Sequence, residues 1–522
     1  MAYSQTHTAM ETVSLTRRRP ALAISLAGGI LSLVGNRRGI GISWDSTDYI
    51  AVGLSMSARR GALDVTGQPM VIRPPGLSSF VALGDWLSVS PDMSLRVVNA
   101  VSMMIVVWGT HQLLVRSKVS TAAKWIGVAL VALSPALLDI FTMAWSEPPF
   151  LALVVLAMLV VTRPRAWLWD IALIPIFAGM FFVRYVGPFY AAPLALVAAV
   201  VQSRKSGWWL SVMRAGSALA VSMVLPWLWL MRNKEISGYL TGYREAGGGT
   251  LLDPLKTFTG TLGSWLIARP PLGGNGGIYL NWSDFSLVMQ LAGIVVWVLL
   301  IVLVSAYLVS SIKQRGDLSS TGRNTSVFLA SAVLFVTYGA FSVYRYVYDE
   351  MGPLDSRMMS GLYVPLVLML VIAADSIGIS KSLTLRAVVR VVAIFGIIVT
   401  VGHGAISVRD SVRYGNEGRY WGSINHKLLP VHLFANGLPK DSALYSNEPQ
   451  SLFAATFRWP IRNQFLTDKP PLVPCNRRYF VWYNQTFLPD GKPVGGKVIF
   501  EDAIAQVIDL DSCDTDLSRF WP

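Results

Sequence analysis

Apolar residues fall in long blocks separated by short polar breaks. The blocks run at 21–34, 95–115, 122–140, 146–162, 167–183, 186–202, 208–231, 286–312, 325–346, 358–379 and 385–406. Each approaches the roughly 20 residues an α-helix needs to cross a bilayer, so about eleven transmembrane helices are predicted. Residues 1–20 form a polar tail ending in Arg17-Arg18-Arg19-Pro20. A basic start before an apolar block has the outline of a signal peptide. No small-x-small cleavage site follows, so an uncleaved first span is predicted. Two polar breaks are long, 43–94 and 232–285. The first holds an amphipathic stretch at 45–60 and an apolar patch at 76–89. The second carries Gly247-Gly248-Gly249 and Gly273-Gly274-Asn275-Gly276-Gly277, which match no phosphate-loop pattern and are expected to form a flexible surface loop. After residue 406 the pattern changes. Asn, Asp and Pro become commoner, and strand-like runs at 443–446, 479–483 and 498–500 predict a small α/β domain over 407–522.

Composition agrees: 53% of the 522 residues are hydrophobic and 14% charged, against about a quarter charged in soluble domains. The net charge of +14 lies in scattered Lys and Arg rather than in a basic face with exposed aromatics, so no nucleic-acid partner is expected. Charge orients the spans. With the N-terminus in the cytoplasm, the cytoplasmic loops hold Arg116, Lys118, Arg163, Arg165, Arg204, Lys205, Lys313, Arg315, Arg323, Lys381 and Arg386, with Asp317 their single acid. The opposite side collects Asp45, Asp48, Glu147, Arg184, Asp349, Glu350, Asp355 and Arg357. An odd number of spans puts 407–522 outside. The expected location is the plasma (inner) membrane, multi-pass, with an extracytoplasmic C-terminal domain. There, Cys475 and Cys513 are expected to pair as a disulfide. Five scattered histidines offer no metal-ligand spacing, so neither a metal nor a cofactor is expected.

Charged groups at span ends, beside lipid, are costly unless paired or used. In Trp44-Asp45-Ser46-Thr47-Asp48-Tyr49, helical spacing puts Asp45, Asp48 and Tyr49 on one face. The plain reading is a solvated turn. The chemical one is a general base that takes the proton of an acceptor hydroxyl, with Trp44 and Tyr49 presenting aromatic faces to a sugar ring. Glu147, in Trp145-Ser146-Glu147-Pro148-Pro149, is either an acid at a helix N-terminus or a second carboxylate that orients hydroxyls. Arg184 and Tyr185, between two spans, and Arg357 at the start of another, are either interfacial anchors or the donors that hold a lipid phosphate. Arg232 is a weaker third. Asp509-Leu510-Asp511 reads as surface charge. No Gly-x-Ser-x-Gly motif points to a nucleophilic triad.

In this order the motifs resemble the GT-C fold glycosyltransferases that use lipid-linked sugars, specifically the family-39-like relatives of protein O-mannosyltransferases and aminoarabinose transferases. Asp45-Ser46-Thr47-Asp48-Tyr49 is similar to their Asp-Glu-x-x-Tyr motif, with Ser46 in place of the second acid. Arg73-Pro74-Pro75-Gly76, Ala144-Trp145-Ser146-Glu147, Val183-Arg184-Tyr185-Val186-Gly187, Arg357 and Ser446-Asn447-Glu448-Pro449 resemble further family segments. The resemblance covers roughly 20–406. It implies a GT-C-like membrane domain over 21–406 and a polyprenyl-phosphate-linked sugar as donor. The acceptor hydroxyl would belong to a glycan, lipid or protein, with inversion at the anomeric carbon. Asp45 would be the base, Asp48 or Glu147 the supporting acid, and one or both of Arg184 and Arg357 the phosphate holder.

The competing reading is a lipid or polysaccharide transporter or flippase. It requires ionisable groups deep within spans facing a conduit, for which Asp139, Asp170 and Asp375 are the candidates. A structural scaffold is a third reading and leaves the outer acid–arginine set unexplained.

Overall fold

The computed structural model describes residues 20–163, 168–244, 250–267, 285–313, 318–348, 354–378, 383–458, 461–463, 476–484 and 496–512. Cys475, Cys513 and both glycine runs of the second long loop lie outside them. The chain divides into two units. One comprises Met1–Val34, Val98–Phe141 and Ser146–Val412; the other comprises Gly35–Val97, Thr142–Trp145 and Arg413–Pro522.

The first unit is helical. All eleven apolar blocks form helices, but fewer than eleven are long enough to span by themselves. Among the described residues, six pass on length and composition: Pro91–Arg116, Trp208–Ser237, Leu287–Val309, Thr325–Tyr348, Ser356–Gly378 and Val389–Glu417. Thr121–Ala132 and Pro135–Phe141 make a seventh if counted as one span bent by 43°. Proline supplies the bend, because Pro135 has no N–H to continue the helical ladder. Pro20–Gly35, Glu147–Val161, Asp170–Val183 and Pro188–Ser203 are apolar helices of 10–17 residues. At about 1.5 Å per residue they fall short of a hydrocarbon layer of roughly 30 Å. This is a multi-pass membrane protein. Val389–Glu417 is only 11% buried within the protein, and its Val391, Ile394, Ile398 and Val401 stand exposed. An apolar helix surface left open in this way faces lipid.

Several hydroxyls inside these helices are satisfied by their own backbone. The hydroxyls of Thr110, Ser331, Thr337 and Thr400 donate to the carbonyls of Val106, Val327, Val333 and Gly396 at 2.7–2.9 Å. Without water, these groups have no cheaper partner. Helices Leu252–Ile267 and Leu287–Lys313 cross on two glycines. A Cβ at Gly263 would meet the Met289 carbonyl oxygen at 1.8 Å, and one at Gly293 the Thr259 carbonyl oxygen at 1.9 Å. Small residues let the two backbones touch, which is how helices gain contact energy in lipid.

The second unit holds the predicted α/β element. Strands β1 (Ala443–Ser446), β2 (Ile461–Asn463), β3 (Arg477–Tyr483), β4 (Lys497–Glu501) and β5 (Ala505–Ser512) form one sheet in the order β2-β1-β3-β5-β4. β1 runs parallel to β2 and β3, while β5 is antiparallel to β3 and β4. Ala443, Tyr445, Phe480, Trp482, Ile508 and Leu510 fill one face. Asp509 is not surface charge: it is 7% exposed and is held by Arg477 at 2.6 Å. The first long loop also belongs to this unit. Its two apolar stretches are the helices Trp44–Ser57 and Gly76–Trp86. They pack so closely that a Cβ at Gly53 would lie 2.5 Å from Val81.

Candidate functional site

Two clusters of charge, one in each unit, contain the residues singled out by sequence. In the second unit, Ser43 caps the helix Trp44–Ser57. Its N–H donates to Ser46 Oγ at 3.0 Å, and its hydroxyl accepts from Trp145 Nε1 at 2.7 Å. Ser46, where the resembled motif has an acid, is thus spent on fixing the helix start. The helix then sets Asp45, Asp48 and Tyr49 on one face, as its spacing predicts. Arg73 forks across the two aspartates, pairing Nη2 with Asp45 and Nη1 with Asp48. Its guanidinium lies 5.8 Å over the Tyr49 ring. Tyr49 is 5% exposed and Trp44 53%. Arg73 stands immediately before Pro74 and Pro75, which lead into the helix Gly76–Trp86 and hold the arginine in place.

Burial pushes the Asp48 carboxyl up to about 7, with Arg73 pulling the other way and Asp64 and Asp45 reinforcing the rise. Burial also disfavours the Arg73 charge, yet Asp45 and Asp48 hold it above its ordinary value. The consequence for stability has a definite sign. The folded chain keeps the Asp48 proton where the unfolded chain, at 3.8, has lost it, so stability falls as pH rises from 3.8 to about 7. Melting in detergent, followed across this window, should show that decline, and Asp48→Asn should flatten it. An unchanged slope in the variant would assign the decline to other groups.

In the first unit, Glu147 opens the helix Glu147–Val161, with Pro148 and Pro149 in the first turn. It is 2% exposed. Arg184 and Arg357 both reach its Oε1, Arg184 through Nη1 and Arg357 through Nε at 2.8 Å. Glu147 Oε2 is buried with no hydrogen-bond partner. Arg184 also donates to Ser146 Oγ at 3.4 Å and lies 6.0 Å over the Phe150 ring. It occupies the tip of a tight reversal between Leu168–Val183 and Pro188–Ser206. Gly187 permits that reversal, since a Cβ there would be 2.4 Å from Phe181 N. Arg357 is set by Asp355, whose carboxylate accepts from Met358 N at 2.8 Å and starts the short helix Ser356–Met359. Glu147, Arg184 and Arg357 therefore meet, although Arg357 is 210 residues from Glu147 in sequence.

Tyr185 is placed differently from Arg184. Its hydroxyl accepts from Trp229 Nε1 at 3.0 Å and Asn233 Nδ2 at 2.8 Å. Arg232 stacks 4.5 Å over Trp229. Nearby, Phe181, Pro188, Met223, Trp227 and Leu230 line an apolar groove of about 480 Å³. Two of the acids within spans, Asp170 and Asp375, are tied into the fold. Asp170 accepts from Gln202 at 3.1 Å and pairs with Arg214 at 3.6 Å, and Asp375 accepts from Ser120 N at 2.9 Å.

No family model matches the chain, and no curated protein matches it by sequence. Solved structures do match. ArnT from Cupriavidus metallidurans in the apo state superposes with a TM-score of 0.61 at 13% identity, covering 96% of this chain and 98% of ArnT. ArnT from the same organism bound to undecaprenyl phosphate gives 0.59 at 12% identity, covering 95% and 98%. The arabinofuranosyltransferase AftD from Mycobacteria gives 0.49 at 15% identity, with 96% of this chain spanning 40% of AftD. Matched to ArnT over nearly the full length of both chains, this multi-pass membrane protein has the GT-C fold.

Proposed function

We propose that this protein is a glycosyltransferase of the cell membrane, moving a sugar from a polyprenyl-phosphate donor to an acceptor hydroxyl on the outer face. One observation carries the reading: two arginines converge on a single buried carboxylate at the start of apolar helices. Two guanidinium cations outnumber the one carboxylate they share, which leaves the trio with a net positive charge. A departing phosphate beside lipid needs that kind of partner.

The reaction follows from charge. Asp45, more exposed than Asp48, takes the proton of the acceptor hydroxyl. The oxygen attacks the anomeric carbon, and the bond from that carbon to the phosphate oxygen breaks with inversion. Arg184 and Arg357 hold the negative charge that develops on the leaving polyprenyl phosphate. Glu147 Oε2, buried and unpartnered, accepts a hydroxyl of the donor sugar. The apolar groove beside Phe181 suits an isoprenoid tail, and ArnT has been crystallised with undecaprenyl phosphate. The N-terminus lies in the cytoplasm and residues 407–522 outside.

Asp170 and Asp375, two of the acids a conduit would use, are engaged as ties within the fold. The test is mass spectrometry of envelope lipids and glycans from a deletion strain, with the purified protein then incubated with the lipid-linked sugar that accumulates. A missing sugar increment and release of free polyprenyl phosphate are expected. Lipid movement across vesicles without a new glycosidic bond would replace this reading with a transporter.

A further inference from the structure

A second feature of the second unit has no part in the chemistry above. The segment Gly418-Arg419-Tyr420-Trp421-Gly422 is pinned in a backbone shape that its side chains disfavour. Tyr420 adopts φ +47° and Gly418 φ +72°, the left-handed region that residues with a Cβ rarely enter. Trp421 N donates to Ile42 O at 3.0 Å. A Cβ on Gly422 would lie 2.3 Å from Ile40 O, so only glycine allows the approach. Arg419 donates to Thr142 Oγ1 at 2.8 Å and is stacked 4.3 Å over Tyr414 and 5.5 Å over Tyr420. The result of this anchoring is not a buried aromatic cluster. Tyr420 is 46% exposed and Trp44 53%. The rings of Trp44 and Trp421 sit 6.2 Å apart, tilted by 42°, with the His426 ring 6.3 Å from Trp421 and the exposed Asn425 at the polar margin. Strain held in place to keep aromatic faces open points to a ligand.

We propose that Trp44, Tyr420 and Trp421 form the platform for a carbohydrate acceptor. This rests on the transferase reading, because it makes the ring of the acceptor, rather than a peptide or a lipid tail, the part recognised. The electron-rich face of an indole attracts the polarised C–H bonds of a sugar's flat side. Asn425 can meet the hydroxyls at the ring edge, while His426 Nε2 is held by Ser451 Oγ at 2.9 Å. Trp44 directly precedes Asp45 in the chain, so the platform and the proposed base share the first turn of one helix. An acyl chain would use the aromatic faces but leave the polar margin idle.

Saturation-transfer NMR on the purified protein in nanodiscs tests this, with methyl pyranosides and methyl arabinofuranosides as probes. Transfer to the ring protons is expected in the natural protein, lost in Trp421→Ala and partly kept in Trp421→Phe. In the transfer assay, Trp421→Ala should raise the acceptor KM roughly tenfold with a smaller change in kcat. Trp44→Ala, a surface change, serves as the second variant should Trp421→Ala fail to fold. No saturation of any glycoside, equal saturation in the variants, or saturation of a serine-containing peptide alone would overturn the proposal. The Asp45→Asn protein separates the two readings. Glycoside binding retained with transfer lost supports both. Glycoside binding with undiminished transfer removes Asp45 as base and leaves the platform standing.

Discussion

Asp45→Asn leaves the protein folded and membrane-inserted, and transfer falls by about 10²- to 10⁴-fold, the span typical of a lost general base. Asn has the shape of Asp, and its carbonyl oxygen can still accept from Arg73 Nη2, so the fork of Arg73 across the helix face survives. What disappears is the charge that takes a proton. Asp48→Asn should cost less. Burial already pushes the Asp48 carboxyl up to about 7, so near neutral pH much of it carries its proton. The ratio between the two variants is the informative quantity. Equal losses would mean that the pair works as one unit sharing Arg73. Undiminished transfer in Asp45→Asn would end its candidacy as the base.

The sequence ranked Asp45 above Asp48 by motif position alone, and the helix Trp44–Ser57 supports the face it assumed. What it lacked was Arg73. That residue lies 28 positions from Asp45 and 25 from Asp48, beyond any helical spacing, and the motif around it drew attention to its prolines and glycine instead. A physical signal was present. Two carboxylates one turn apart on a half-buried face repel each other unless a cation joins them, and the same loop holds few arginines. Trp421 was hidden for a different reason. Its segment has no apolar period, and only the paired glycines at 418 and 422 mark the close approach to residues 40–42. Strand β5 escaped because Asp509 and Asp511 break its apolar run, and the buried charge of Asp509 is met by Arg477 across the sheet. The spans were legible because lipid demands long apolar helices. Their lengths were less so, since the helix from Leu383 continues to Glu417 through a polar stretch that composition assigns to the tail.

Glu147 with Arg184 and Arg357 is where a structural role and a chemical one overlap most, and a pair of variants separates them. Arg184→Ala removes one of two cations from a carboxylate that is 2% exposed. Breaking a buried pair outright costs about 3–5 kcal/mol; Arg357 still pairs with Glu147 here, so a smaller fall in melting temperature is expected together with a donor KM raised by about 10- to 100-fold, the latter from the lost charge-assisted bonds to phosphate. Either effect alone could be secondary to the other. Arg184→Lys keeps a cation beside Glu147 without the guanidinium fork and should keep the melting temperature. Donor use should stay impaired, because the phosphate still lacks its guanidinium. If the lysine variant keeps donor use as well as stability, Arg184 serves only to balance Glu147, and the lipid phosphate is held elsewhere. Arg357→Lys asks the same question of the second arginine. Its Nε reaches the same carboxylate oxygen at 2.8 Å, so a phosphate shared between the two forks predicts similar donor losses from either arginine. A loss confined to one of them would assign the phosphate to that side chain alone.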